Sequence, residues 1–179
     1  MNTPLVTRRR LLAALAVTPL AALLVGRRGP AHAAEPAAGK AIAPLRKSKE
    51  EWRKLLEPRR YEVLFEAHTE RPNSSPLNAE KRPGTFICAA CFLPLFDAKH
   101  KYESGTGWPS FTRPLPGRME TERDFSMVWP RTEYHCIRCG GHQGHVFDDG
   151  PPPTNQRWCN NGLALLFVPE GIPLPELRT

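Results

Sequence analysis

Cysteine is scarce in this chain. Five occur in 179 residues: Cys88, Cys91, Cys136, Cys139 and Cys159. The first four form two Cys-x-x-Cys pairs, which is metal-ligand spacing, so Cys159 alone has no structural task in sight. Acidic residues are missing from residues 1–33, which hold five arginines. The formal charge of +7 is therefore concentrated there, and the rest of the chain carries only +2. That is too mild to indicate nucleic-acid binding on charge. A membrane-spanning run of roughly 20 apolar residues is lacking too. The stretch Leu11 to Val25 is 15 residues long and is interrupted by Thr18 and Pro19. Sustained helical periodicity is absent beyond the first cysteine pair, and 20 prolines argue for loops over long helices.

What is present at the N-terminus reads as an address. Thr7-Arg8-Arg9-Arg10-Leu11-Leu12 opens a basic region, the apolar run follows, and Ala31-His32-Ala33 offers a small-x-small cleavage site. Residues 1–33 are expected to be an export signal of twin-arginine type, cleaved after Ala33. Cleavage would leave a periplasmic chain with no stable membrane insertion. Proteins using such signals fold before export, so a metal site would load in the reducing cytoplasm. Residues 34–47, rich in Ala, Pro, Gly and Lys, read as a flexible lead-in to a domain at residues 48–179.

Ser48-Lys49-Glu50-Glu51 is a capping-box pattern. Trp52, Leu55 and Leu56 then give one apolar helical face, and Tyr61, Leu64 and Phe65 repeat it around Pro58. Residues 69–83 should be an irregular loop. Thr85-Phe86-Ile87 reads as a strand entering Cys88, and Leu93-Pro94-Leu95-Phe96 as the return to a sheet. Short apolar segments broken by Gly, Pro, Asn and Asp continue from there, which favours a mainly β fold with two short N-terminal helices.

The two cysteine pairs are separated by 44 residues. Two turns of this kind complete a closed tetrahedral site of four thiolates, with one structural zinc per chain. Disulfides and an iron–sulfur cluster are the competing readings. Three further stretches carry chemistry: Ser104 to Phe111, a glycine-flanked loop presenting Trp108; Gly141 to Pro151, with His142 and His145; and Arg157-Trp158-Cys159-Asn160-Asn161. On a strand Arg157 shares a face with Cys159, where a cation favours the thiolate. His142 or His145 would serve as acid or base. Taken singly, a tryptophan such as Trp108 is more often core than a pocket wall, and Cys159 also reads as a small buried hydrophobe.

Together these stretches resemble the B-type methionine sulfoxide reductases. The resemblance runs from about Trp52 to Val168. It rests on both Cys-x-x-Cys pairs, Ser-Gly-x-Gly-Trp-Pro-Ser-Phe, His-x-Gly-His-Val-Phe-x-Asp-Gly-Pro and Arg-aromatic-Cys-x-Asn, in that order. It implies two antiparallel β-sheets in a tent- or barrel-like arrangement, with zinc held away from the active site. It implies a peptide-methionine (R)-S-oxide reductase in which Cys159 is the nucleophile and passes through a sulfenic acid. His142 and His145 would be the active-site histidines and Asn161 would orient substrate. Trp108 would receive the S-methyl group, Phe147 would line the cleft, and Arg157 would support the thiolate. Oxidised proteins or peptides would be the substrates and an external thiol the reductant. Many members of that family carry a resolving cysteine where this chain has Thr106, so a one-cysteine cycle is expected. Gln143, Trp158, Asn160 and Gly162 also depart from the family's usual leucine, tyrosine, aliphatic residue and serine.

Overall fold

The computed structural model describes residues 42–179; the expected export signal and most of the lead-in lie outside the described residues. The last of the lead-in has no regular structure. It is nevertheless held down, because Leu45 N donates to Arg138 O and Ile42 and Leu45 pack on the core.

Helix α1 spans Lys49–Leu55. Its capping box forms as the sequence indicates: Glu51 N donates to Ser48 Oγ at 3.2 Å, and Ser48 N donates to Glu51 Oε2 at 2.7 Å. The buried stripe is narrower than expected. Trp52 and Leu56 turn inward, while Leu55 is 44% exposed. A seven-residue helix presents a single i, i+4 row, and Leu55 lies at its edge. Helix α2, Pro58–Phe65, starts on Pro58, whose missing N–H costs nothing in the first turn. Tyr61, Val63 and Leu64 are buried, and the Trp52 and Phe65 rings stack at 4.9 Å. Arg60 donates to the carbonyls of Leu163 and Leu165, tying α2 to the C-terminal part of the domain.

Among the described residues, nine strands form two antiparallel sheets, as the resemblance implies. Strands β1 (Gly84–Cys88), β2 (Pro94–Asp97) and β9 (Leu165–Pro169) make a three-stranded sheet in the order β2-β1-β9. The second sheet contains β3 (Lys101–Tyr102), β4 (Ser110–Phe111), β5 (Met119–Asp124), β6 (Arg131–Cys136), β7 (His142–Phe147) and β8 (Arg157–Asn160). Its order is β3-β4-β8-β7-β6-β5. An aromatic core joins the two sheets. Phe96 stacks on Phe111 at 4.0 Å, and Phe86 meets Phe111 edge-on at 5.0 Å.

Pairing and alternation together decide which side chains share a face. Partnered residues run Tyr102, Ser110, Cys159, His145, Glu133, Glu122 across all six strands. Arg157, Phe147, Arg131 and His135 lie two residues along from members of this row and share its face. The opposite face holds Tyr134, Cys136, Trp158, Asn160 and Phe111, and it turns into the core.

Candidate active site

Cys159 sits on β8 between Ser110 and His145, its partners on β4 and β7. The close approach of β7 and β8 depends on Gly144. A Cβ there would lie 1.9 Å from the Cys159 carbonyl oxygen. His142 and His145 are three residues apart, which in a regular strand puts them on opposite faces. The ladder between β6 and β7 shifts register between Tyr134 and His135, whose partners are Gly144 and His142. This leaves Gln143 as an extra residue, and such a bulge re-aims its neighbours. Both imidazoles then share a face, with ring centroids 5.5 Å apart.

A cavity of about 120 Å³ opens on that face, lined by Thr69, Trp108, Arg131, Gly144, His145, Phe147, Cys159, Asn160 and Asn161. The sequence-derived set divides here. Cys159, His145, Trp108, Phe147 and Asn161 line the cavity. Arg157 and His142 do not, and they act on its walls. Arg157 donates to both carboxylate oxygens of Asp149, at 2.8 and 2.9 Å, and its guanidinium covers the Phe147 ring at 4.3 Å. His142 is buried with Nδ1 against Glu133 Oε1 and Nε2 3.3 Å from the Asn161 amide nitrogen.

The electrostatics favour neutral groups at Cys159, His142 and His145. Burial pushes the Cys159 thiol above its ordinary pKa; Arg157, and then the Thr106 hydroxyl, pull it back. Burial also lowers His142, with Glu133 opposing, and lowers His145, with its Asp124 hydrogen bond opposing. Both histidines are thus neutral imidazoles near neutral pH. Asp124 has the reverse problem. Ser126 and His145 donate to it, Arg131 pairs with it at 2.6 Å, and its carboxyl is held far below the usual range.

Several of these supports were not singled out from the sequence. Asp149 was visible only as part of the Asp-Gly-Pro motif. Glu133 and Asp124 lie on β6 and β5, outside the marked stretches. Glu70 comes from the expected loop at 69–83 and is a buried organiser. Its backbone carbonyl accepts from Trp108 Nε1 at 3.1 Å, and its N–H donates to Asn161 Oδ1 at 3.1 Å. Its carboxylate accepts from the N–H groups of Gly162 and Leu163. That arrangement explains Gly162, because a Cβ there would fall 1.9 Å from Ser75 Oγ. Two other departures from the family pattern meet at Tyr134. Its hydroxyl donates to Asn160 Oδ1 at 2.9 Å, and its ring meets Trp158 edge-on at 4.9 Å.

The four remaining cysteines form a separate cluster. Their sulfurs all lie within 4.8 Å of one another. Two close contacts cross between the pairs, Cys88 to Cys139 at 3.6 Å and Cys91 to Cys136 at 3.5 Å. A tetrahedral ion with sulfur ligands at about 2.3 Å spaces them about 3.8 Å apart, so the cluster fits a metal and not two disulfides. Each pair is a tight turn in which the residue after the second cysteine, Phe92 or Gly140, has positive φ and donates back to the first cysteine's carbonyl. Gln143, the bulge residue, connects cluster and cavity. Its side-chain amide donates to Cys88 Sγ at 3.7 Å, and its carbonyl accepts from both nitrogens of Asn161.

The SelR domain family profile matches residues 56–169. Known proteins similar to this chain include the peptide methionine sulfoxide reductase MsrB of Pseudomonas putida strain W619. It is 49% identical over 124 residues, which cover 69% of this chain and 93% of that protein. MsrB of Bradyrhizobium diazoefficiens is 48% identical over 125 residues, covering 69% and 90% of the two chains. MsrB of Methanosarcina barkeri is 48% identical over 125 residues, covering 69% and 88%. The matched span contains every element from α2 to β9, the cysteine cluster and the whole cavity. On this evidence the chain belongs to the SelR-domain family of B-type peptide methionine sulfoxide reductases.

Proposed function

We propose that the chain is a peptide-methionine (R)-S-oxide reductase, with Cys159 as nucleophile. The observation that carries this reading is the convergence of Cys159, His145, Asn161 and Trp108 on one cavity. The methyl group of the sulfoxide side chain would rest on the Trp108 indole, bringing the sulfur to Cys159. At rest the thiol is protonated and His145 is neutral. His145, held by Asp124, takes the thiol proton as Cys159 attacks and returns it to the departing oxygen. The sulfoxide S–O bond breaks, the thioether leaves, and Cys159 carries the oxygen as a sulfenic acid. Sulfur of the substrate is reduced by two electrons and Cys159 is oxidised by two. His142 acts through Asn161, which it touches, and is a positioning residue.

Return to the thiol consumes two equivalents of an external thiol and releases water and a disulfide. Thr106 supports this one-cysteine route. Its hydroxyl faces Cys159, and it cannot form a disulfide. The cysteine cluster holds a structural zinc in this reading, supported by its all-sulfur donor set and closed geometry. Residues 1–33 support export to the periplasm, where the substrates are oxidised exported proteins. The test is an epimer-resolved reductase assay on the wild type and Cys159→Ser. The R epimer should be reduced by the wild type alone and the S epimer by neither. Full activity in Cys159→Ser, with fold and metal intact, would refute the mechanism.

A further inference from the structure

On the same sheet face as Cys159, three strands bring together donors that the proposed reaction uses only in part. Glu133 and His135 stand two residues apart on β6, on one face. His142 is the cross-strand partner of His135 on β7. Glu133 Oε1 lies 2.8 Å from His135 Nε2 and against His142 Nδ1, and the three donor atoms fall within 4.8 Å of one another. Glu122, the partner of Glu133 on β5, brings Oε1 within 3.6 Å of His135 Nε2. The cluster borders a cavity of about 480 Å³ that is separate from the one holding Cys159.

We infer that Glu133, His135 and His142, with Glu122 as a fourth donor, form a second site for a divalent transition-metal ion, and that occupancy lowers reductase activity. Two imidazoles and a carboxylate on one face, with an open side, are a donor set for zinc, cobalt, nickel or iron. Two carboxylates, Glu133 and Glu122, reach the same imidazole and bring the negative charge that a divalent cation neutralises. The neighbouring group of Asp124, Glu133 and His145 is less suited, because Arg131 already supplies its cation at 2.6 Å from Asp124. An ion takes the place of the protons now shared between the imidazoles and Glu133. Nitrogen and oxygen ligands at about 2.0–2.2 Å need only a small spreading of the three donors.

The effect on the cavity follows from the tautomer of His142. With a proton on Nδ1 facing Glu133, Nε2 accepts from the Asn161 amide. An ion on Nδ1 moves that proton to Nε2, where it opposes the amide N–H. Asn161 then turns, and Asn161 lines the cavity. His135 does not line the cavity that holds Cys159, so its removal tests the site without removing the chemistry.

The experiment adds Co²⁺ to the zinc-loaded enzyme. Metal per chain, the visible spectrum and turnover of a methionine-R-sulfoxide peptide are measured, before and after brief exposure to a chelator. One further equivalent should bind, with weak ligand-field bands and no thiolate charge-transfer band. Turnover should fall about tenfold, the scale on which supporting contacts act, and recover on chelation. His135→Ala should keep its metal-free activity while losing both the second equivalent and the inhibition. Glu122→Gln should weaken Co²⁺ binding roughly tenfold. No second equivalent, equal binding by His135→Ala, or inhibition accompanied by a thiolate charge-transfer band would each overturn the inference. The binding readouts do not depend on the reaction; only the inhibition readout rests on the reductase reading. A wild type inactive before Co²⁺ is added would count against that reading alone.

Discussion

Replacing Arg157 with methionine separates the electrostatic from the architectural role of this side chain. Arg157 is the largest force opposing the burial of Cys159. An opposite charge within about 4–6 Å shifts a pKa by about 1–3 units, equivalent to about 1.4–4 kcal/mol. Loss of a cation disfavours the anion, so the thiol pKa moves further up and the rise of rate with pH moves to higher pH. The fold should survive. Asp149 has a side chain 60% exposed and remains hydrated without its partner, and methionine keeps an apolar stem against Phe147. The assay is the pH profile of iodoacetamide alkylation at Cys159 in the zinc-loaded enzyme, with Cys159→Ser as the blank. The midpoint should rise by about 1–3 units. Alkylation at pH 7 should fall about ten- to thousandfold, and kcat/KM should fall with it and recover partly at higher pH. An unmoved midpoint in an inactive variant would refute the argument and place Arg157's role in the shape of the cleft.

Other perturbations test the frame. Cys88→Ser should release the metal and cost several kcal/mol of stability, read as a fall in Tm together with the metal content. Gly144→Ala forces β7 and β8 apart at the Cys159 carbonyl. It should cost about 1–3 kcal/mol and a larger share of activity than of stability, measured by denaturant unfolding beside kcat. Thr106→Cys places a thiol where a hydroxyl faces Cys159. After one turnover without reductant, thiol counting should find both cysteines lost to a disulfide, and thioredoxin should then support cycling.

The motifs were legible because their chemistry is local. Two cysteines in one turn, Arg157 two residues from Cys159, and a glycine-bounded Trp108 each state a geometry within a few residues. Both helices and the strands flanking the first cysteine pair were legible by periodicity. What stayed hidden is set by long-range pairing. Glu70 meets Gly162 across 92 residues, and no local pattern announces that contact. Asp124 and Glu133 become partners of His145 and His142 only once β5, β6 and β7 are in register. The bulge at Gln143 was hidden for the same reason, since a three-residue histidine spacing does not say that one residue is extra. Leu55 departs from the expected apolar face because a stripe read from three positions does not report how short its helix is.

The row from Tyr102 to Glu122 has a consequence for how the protein can fail. A single-residue slip of β8 against β7 would turn Cys159 toward the aromatic core and present Trp158 in its place. The same slip would point Asn160 outward and strip Tyr134 of its hydrogen-bond acceptor. A misaligned sheet therefore has no weakened active site; it has none. In a refolded preparation, specific activity should count correctly aligned molecules, and turnover per active molecule should stay constant as yield varies.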